Sequence, residues 1–412
     1  MENSETVIDL AARRAGATEP IEPQADIDEE TVSLIPLSDP DITTAELAAV
    51  DAVLRSPRIS GGAVTEAFEE AFADYLGRKY AIAVSSGTVG LLLALKACGI
   101  EPGDEVIVSP YAFKELQHAI AISGAKPVFA DIDYWAGTLS PQKAADRITD
   151  KTRAIVAGNN NGHPADWSGL RDLAETHGLV LIEDSSEAIG SKYKDQLVGT
   201  FGDCSIFDFS QPLAITCGEG GMVVTDNIDI AVALRRNRSH RLDERSSVVV
   251  GSTPPVQAVM SDLTAALGMA QLKRLDEIIE KRKLIEQYYS QYVQTFEGIK
   301  PPYIGPDVTE VNWLFYLVHL GTRFTRSSRD AIIEDLRVEG VEAAAYSLPL
   351  HLQRYYFNLG YRKGDYFVTE KVADRAIALP FHTHLGEDQI AFLVETMKDA
   401  SINVGAGAAI YL

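Results

Sequence analysis

The 412-residue sequence has no lysine between Lys194 and Lys273. It has no run of roughly 18 uninterrupted apolar residues, so a membrane-spanning helix is not expected. Its first residues, MENSETVIDLAARRAGATEP, contain no apolar core and do not read as a secretory signal. Cysteine is scarce: Cys98, Cys204 and Cys217 are too widely spaced for a zinc or disulfide framework, which points to a reduced, cytoplasmic setting. Positive charge is also short. The formal net charge of −22 argues against nucleic acid or an anionic membrane as partner, since both require a basic face.

What remains is an ordinary globular composition, 46% hydrophobic and 23% charged. The length suggests two domains. Residues 1–35 are polar and acidic without periodicity, and read as a disordered or extended lead-in. From there the pattern predicts a large domain over 36–270, a smaller C-terminal αβ domain over 271–400, and a tail over 401–412. Segments 44–55 and 64–76 space their apolar residues at three and four, as amphipathic helices do. Strand-like runs (YAIAVS, DEVIVSP, KPVFADI, RAIVAG, LVLIEDS) then alternate with helical stretches such as LLLALKACG, LQHAIAISG and GLRDLAETHG. This alternation predicts an α/β fold with a mostly parallel sheet covered on both faces. CSIFDF and MVVTD add two strands around a glycine-rich turn, and a long charged helix is expected over roughly 260–297 as the bridge between domains.

Four segments carry chemistry. Ser85-Ser86-Gly87-Thr88 sits between a strand and a helix, where free backbone N–H groups can face a phosphate or simply be capped. Glu183-Asp184 ends a buried strand, the place where open α/β sheets put ligands; a carboxylate there can pair with a protonated ring nitrogen or cap the next helix. The aromatics of Pro110-Tyr111-Ala112-Phe113 can stack on a flat ring or fill the core. Gly218-Glu219-Gly220-Gly221 permits close backbone approach.

The series SSGT, PYAF, GHPADW, IEDSSEAIG, CGEGGMVVT, LTAALGMAQLKRLDE and YSLPLHLQRYY resembles, in order and over about residues 36–397, the DegT/DnrJ/EryC1/StrS family of sugar aminotransferases. That resemblance implies a fold type I pyridoxal-phosphate enzyme with a seven-stranded sheet, working as a homodimer with sites at the subunit interface. Its small-molecule substrates would be an amino donor and a keto-sugar, often nucleotide-linked, or a cyclitol. It also implies roles for residues. Asp184 would hold the pyridine nitrogen, Phe113 would stack on the ring, Ser86, Gly87 and Thr88 would hold the phosphate, and Glu187 would stand where a glutamine near the ring hydroxyl is usual. His163 lies in a family-like loop and reads as a surface or capping residue. No metal site is expected.

Against this pattern the family's cofactor-binding lysine falls on Leu213, five residues before Gly218. A lysine there would hold the cofactor covalently and shuttle a proton; leucine does neither. Asp208 stands in place of a serine beside the phosphate, and like charges there weaken binding. Some relatives carry an acid at this place. The family's Asn-Tyr-Arg stretch, which reaches the partner's phosphate, aligns with Gln257-Ala258-Val259, and its ring-motif histidine with Ile189. Pyridoxal or pyridoxamine phosphate, if bound, would then be held non-covalently. Three readings are open. The chain is an ordinary sugar aminotransferase whose lysine was replaced deliberately to trap an intermediate, a natural lysine-free relative with a different pyridoxamine-phosphate or cofactor-free reaction, or a catalytically inactive scaffold for a partner.

Overall fold

A computed structural model describes residues 34–112, 116–239, 254–293, 302–322 and 324–406. The expected lead-in before residue 34, Phe113 and the last residues of the expected tail lie outside them. Residues from Ile35 onward form one compact unit.

Two helices open it. Helix α1 (Thr44–Leu54) starts at a capping box in which Glu46 reaches back to the Thr43 N–H at 2.8 Å. Helix α2 (Ala63–Leu76) buries Thr65, Phe68, Phe72 and Leu76, a spacing of three and four that keeps one face on the core, and ends at Gly77 with φ +68°.

The strand–helix alternation then runs β1 (Tyr80–Val84), α3 (Gly87–Ala97), β2 (Glu105–Val108), α4 (His118–Ile122), β3 (Lys126–Phe129), α5 (Pro141–Ala145), β4 (Thr152–Gly158), α6 (Trp167–His177) and β5 (Val180–Asp184). A two-stranded excursion, β6 (Lys192–Tyr193) and β7 (Gln196–Leu197), precedes β8 (Cys204–Asp208), β9 (Gly221–Thr225) and α7 (Ile228–Arg238). Seven strands make one sheet in the order β1-β9-β8-β5-β4-β2-β3. It is parallel from β8 through β5, β4 and β2 to β3, whereas β9 runs antiparallel to both neighbours, so the expected mostly parallel sheet is present.

Both faces are covered. Ile82, Val84, Ile182, Ile206 and Val223 pack with α3 and α7 on one face. Their strand neighbours Ala81, Ala83, Phe207, Met222 and Val224 pack with Phe68 and Phe72 of α2 on the other. Leu181 and Ile155 meet Trp167 and Leu170 of α6. Period-two alternation therefore decides where polar residues at strand ends point: Asp184 shares the face of Ile182, toward α3, and Glu183 shares the face of Leu181.

The single helix expected over 260–297 is instead two, α8 (Asp262–Lys273) and α9 (Leu275–Val293), parted at Arg274. The Arg274 guanidinium turns to Asp41 Oδ1 at 2.7 Å and Glu46 Oε1 at 2.8 Å, tying this junction to the start of α1. Strand β10 (Val308–Glu310) joins β6 and β7 in a small sheet. The chain continues with β11 (Tyr316–His319), α10 (Arg326–Val338), β12 (Ala344–Ala345), α11 (Arg354–Asn358), α12 (Phe367–Ala373), β13 (Ala376–Leu379) and α13 (Glu387–Ser401). The order β11-β13-β12 makes a third, antiparallel sheet. Its core brings Tyr289, Tyr316, Ile332, Leu336, Leu379 and Leu393 together. Helical structure runs on from α13 through Ile402–Ala406.

Candidate functional site

The carboxyl ends of β5 and β8 and the start of α3 meet where the sheet places ligands. Asp184 ends β5 and is buried; its Oδ1 accepts the Ser186 N–H at 3.1 Å. Burial raises its pKa to about 7, with Glu187 and Asp208 adding to the rise and the Ser186 hydrogen bonds opposing it. Glu183, beside it, is a different kind of acid. It is fully buried on the opposite face and accepts from the N–H groups of Gly199, Phe201 and Gly202 and from Asn159, Ser185 and Ser205. That saturation makes Glu183 a structural pin.

Glu187 Oε2 accepts the Asn161 N–H and the Tyr346 hydroxyl, each at 2.6 Å. Asn161 takes φ +51°, a left-handed conformation asparagine tolerates, and its side chain binds the Phe315 backbone in both directions. Asn160 donates to the carbonyls of Tyr111 and Gly137. His163 is buried rather than at the surface: Nδ1 faces the Pro164 carbonyl at 2.7 Å, Nε2 accepts the Gly305 N–H at 3.1 Å, and burial lowers its pKa. Both ring nitrogens are used in holding loops together.

At the start of α3, the Ser86 hydroxyl caps the helix by accepting the Val89 N–H. Thr88 is half-buried on the first turn. The Gly87 N–H donates to Asp208 Oδ2 at 2.8 Å. Opposite, the Ser85 N–H donates to the Ala258 carbonyl, and Val259 bridges to Val84, so residues 257–259 run along the end of β1.

Leu213 is 7% exposed and belongs to an apolar cluster with Tyr111, Ile132, Leu314, Phe315, Leu317 and Tyr346. Burying a leucine contributes roughly 1.5–3 kcal/mol. The Tyr111 and Tyr346 rings lie 5.2 Å apart, and Tyr111 Oη is buried with no hydrogen-bond partner among the described residues. Beside this cluster a cavity of about 40 Å³ lies among Tyr111, Asn160, His163, Trp313 and Tyr346. It has room for a few waters, against the roughly 300–1,000 Å³ of ligand pockets.

Sequence reading thus found Asp184, Glu187, Leu213 and the SSGT turn, and the structure brings them to one end of the sheet. It missed Tyr346, Tyr111 as a wall of the cavity, and the asparagines. The run Asn159-Asn160-Asn161 after β4 was a usable signal, because three amides at a strand end can satisfy the backbone of incoming loops.

This sheet order, with the acid at the end of β5 and the glycine-started helix facing it, is the architecture of the fold type I pyridoxal-phosphate aminotransferases. The chain belongs to the DegT/DnrJ/EryC1/StrS aminotransferase family, which matches residues 40–398. It is 32% identical to the spore coat polysaccharide biosynthesis protein SpsC of Bacillus subtilis, over 89% of this chain and 96% of that one. It is 34% identical to GDP-perosamine synthase of Caulobacter vibrioides, over 81% of this chain and 89% of the other. Among solved structures, the PLP form of the putative sugar aminotransferase Spr1654 from Streptococcus pneumoniae superimposes with a TM-score of 0.85 at 27% identity, covering 90% of this chain and 99% of that one; a PMP form of the same protein is also similar.

The residues present fit such a cofactor only in part. Asp184 suits a ring nitrogen. Leu213 offers no amine, and the Gly87 N–H that would receive a phosphate already binds a carboxylate. The disagreement falls on the two places where the cofactor would be gripped.

Proposed function

We propose that this chain is a catalytically silent member of the sugar-aminotransferase family, one that keeps the fold and the buried acid but does not transfer amino groups through a lysine-held cofactor. The observation that carries this reading is Leu213 buried in an apolar cluster, a residue that the family resemblance sets against the lysine. Its place in the cell would be a binding or scaffolding role in the biosynthesis of sugars like those its relatives serve, as a cytoplasmic homodimer or alongside an active relative. Sedimentation velocity would give the stoichiometry.

The experiment is borohydride treatment of protein incubated with pyridoxal phosphate, followed by peptide mass mapping, with a parallel assay of glutamate-dependent amination of keto-sugars. The expected result is no adduct on any lysine and no turnover. An adduct on a lysine elsewhere, or turnover by the natural sequence, would refute the reading. Leu213→Lys combined with Asp208→Ser tests it from the other side: regained amination would mark a decayed aminotransferase, and silence would favour the scaffold.

A second reading rests on Asp184, which still ends β5 in a buried setting: pyridoxamine phosphate held without a covalent bond, serving another reaction. Calorimetric titration with pyridoxamine phosphate separates the two.

A further inference from the structure

We infer that Asp208 is a specificity-determining residue that bars phosphorylated ligands from the start of α3. The inference deepens the proposed function and rests on it, since it concerns the same site. A helix start offers unpaired N–H groups and the positive end of the helix dipole, and any anion with the right reach can satisfy them. In this protein the anion is built in. Asp208 Oδ2 lies 2.8 Å from the Gly87 nitrogen, although the two residues are 121 positions apart.

The carboxylate is not free to swing aside. Its other oxygen accepts the Ser210 N–H at 2.8 Å and the Ser210 hydroxyl. Its own backbone N–H donates to Ser186 Oγ at 3.1 Å, and its Cα is paired in register with Gly221 of β9. Packing leaves no slack on either side of the helix start. A Cβ placed on Gly87 would lie 2.8 Å from Asp208 Cβ and Oδ2. A Cβ on Gly221 would lie 2.6–2.8 Å from the Ser86–Gly87 peptide. Asp208 itself is 6% exposed.

An incoming phosphate must therefore either displace a carboxylate held at both oxygens or sit against it. Two like charges a few ångströms apart with little intervening water repel strongly. The upward pull of Asp208 on Asp184 shows the same field acting within the site. Relatives with the usual serine at position 208 have no such charge there, whereas those with an acid share it. What the site keeps is a preference for ligands that bring no phosphate to α3.

The test uses the full chain, with inorganic phosphate, pyridoxamine phosphate and its unphosphorylated counterpart pyridoxamine as probes in calorimetry. The natural protein is expected to bind pyridoxamine phosphate no more tightly than pyridoxamine, and to give no heat with inorganic phosphate. Asp208→Ser should bind pyridoxamine phosphate at least about tenfold more tightly than the natural protein. Asp208→Asn keeps the shape of the side chain and an acceptor oxygen while losing the charge, and should move in the same direction. It carries the test should the serine variant melt early. The inference fails if the natural protein prefers pyridoxamine phosphate by about tenfold, or if the folded variants bind it no better than the natural protein does. Lysine adducts or turnover would instead overturn the proposed function. A phosphate preference without turnover overturns this inference alone.

Discussion

The carboxylate of Glu187 accepts the Tyr346 hydroxyl at 2.6 Å across 159 residues of chain. One residue lies just after β5 of the large sheet and the other just after β12 of the small antiparallel sheet, so the bond ties the two sheets together at the candidate site. It also fixes a negative charge near Asp184, and the titration of that acid reports on it.

Asp184 should hold its proton in the folded state up to about pH 7, far above its ordinary 3.8, chiefly through burial. The folded state then binds more protons than the unfolded state between those values. Stability from this group is full below 3.8 and is lost as pH rises through about 7. Asp184→Asn cannot titrate, so its melting temperature should gain on that of the natural protein across this window. Glu187→Gln should move the midpoint downward by removing a neighbouring charge. A difference that stays flat with pH would contradict the assignment.

Leu213→Ala removes most of a side chain from the cluster around Tyr111 and Phe315. The expected cost is about 2–5 kcal/mol, the usual range for a buried leucine. Urea denaturation reads it. A loss below about 0.5 kcal/mol would show an open site around Leu213.

Glu183→Gln should destabilise the fold by about 3 kcal/mol or more. The substituted amide turns its NH2 toward groups that are themselves donors: the Phe201 and Gly202 N–H groups if it replaces Oε2, or the Gly199 N–H and the Asn159 amide if it replaces Oε1. Hydrogen exchange should then quicken at Gly199, Phe201 and Gly202 before it does elsewhere in the sheet.

The Arg274 network should be a source of acid sensitivity. For Asp41 burial raises the pKa, but hydrogen bonds from Arg274 and Lys281 outweigh it and lower the value to about 2. In Glu46 burial is likewise outweighed, by Thr43, Arg274 and Gln271, again to about 2. Depressed carboxyl values stabilise above the unfolded values of 3.8 and 4.5, and the contribution drains away as pH falls through about 2. The melting-temperature gap between the natural protein and Arg274→Met should therefore narrow over that descent. Thermal melts at a series of pH values would show it.

Much of the fold was legible in the sequence. Continuous apolar runs such as LVLIED gave β5 and placed Asp184 at its end, because a strand buried on both faces is apolar along most of its length. Leu213 was singled out through the family resemblance, by its spacing to the glycine turn. The break at Arg274 could not be read from the sequence: apolar periodicity continues across it, and what parts α8 from α9 is accompanied by ion pairs to Asp41 and Glu46, more than 220 residues earlier. Nor could the grip of Asp208 on Gly87 be seen, since it depends on which face of β8 the residue takes and on how closely β9 packs. The charge of Asp208 was visible; its reach was not.

The connection from β8 to β9 carries both residues that the family resemblance sets against the usual serine and lysine, Asp208 at its start and Leu213 within it. They act on different requirements, one on the anion position and one on covalent attachment, and neither change repairs the other. A lineage that had acquired both would have no single mutational step back to an ordinary transaminase. A lone lysine would arrive with the anion seat still taken, and a vacated seat would still want an amine. In a catalytically silent chain the loop works as an evolutionary ratchet, and leaves the fold free to be kept for whatever else it binds.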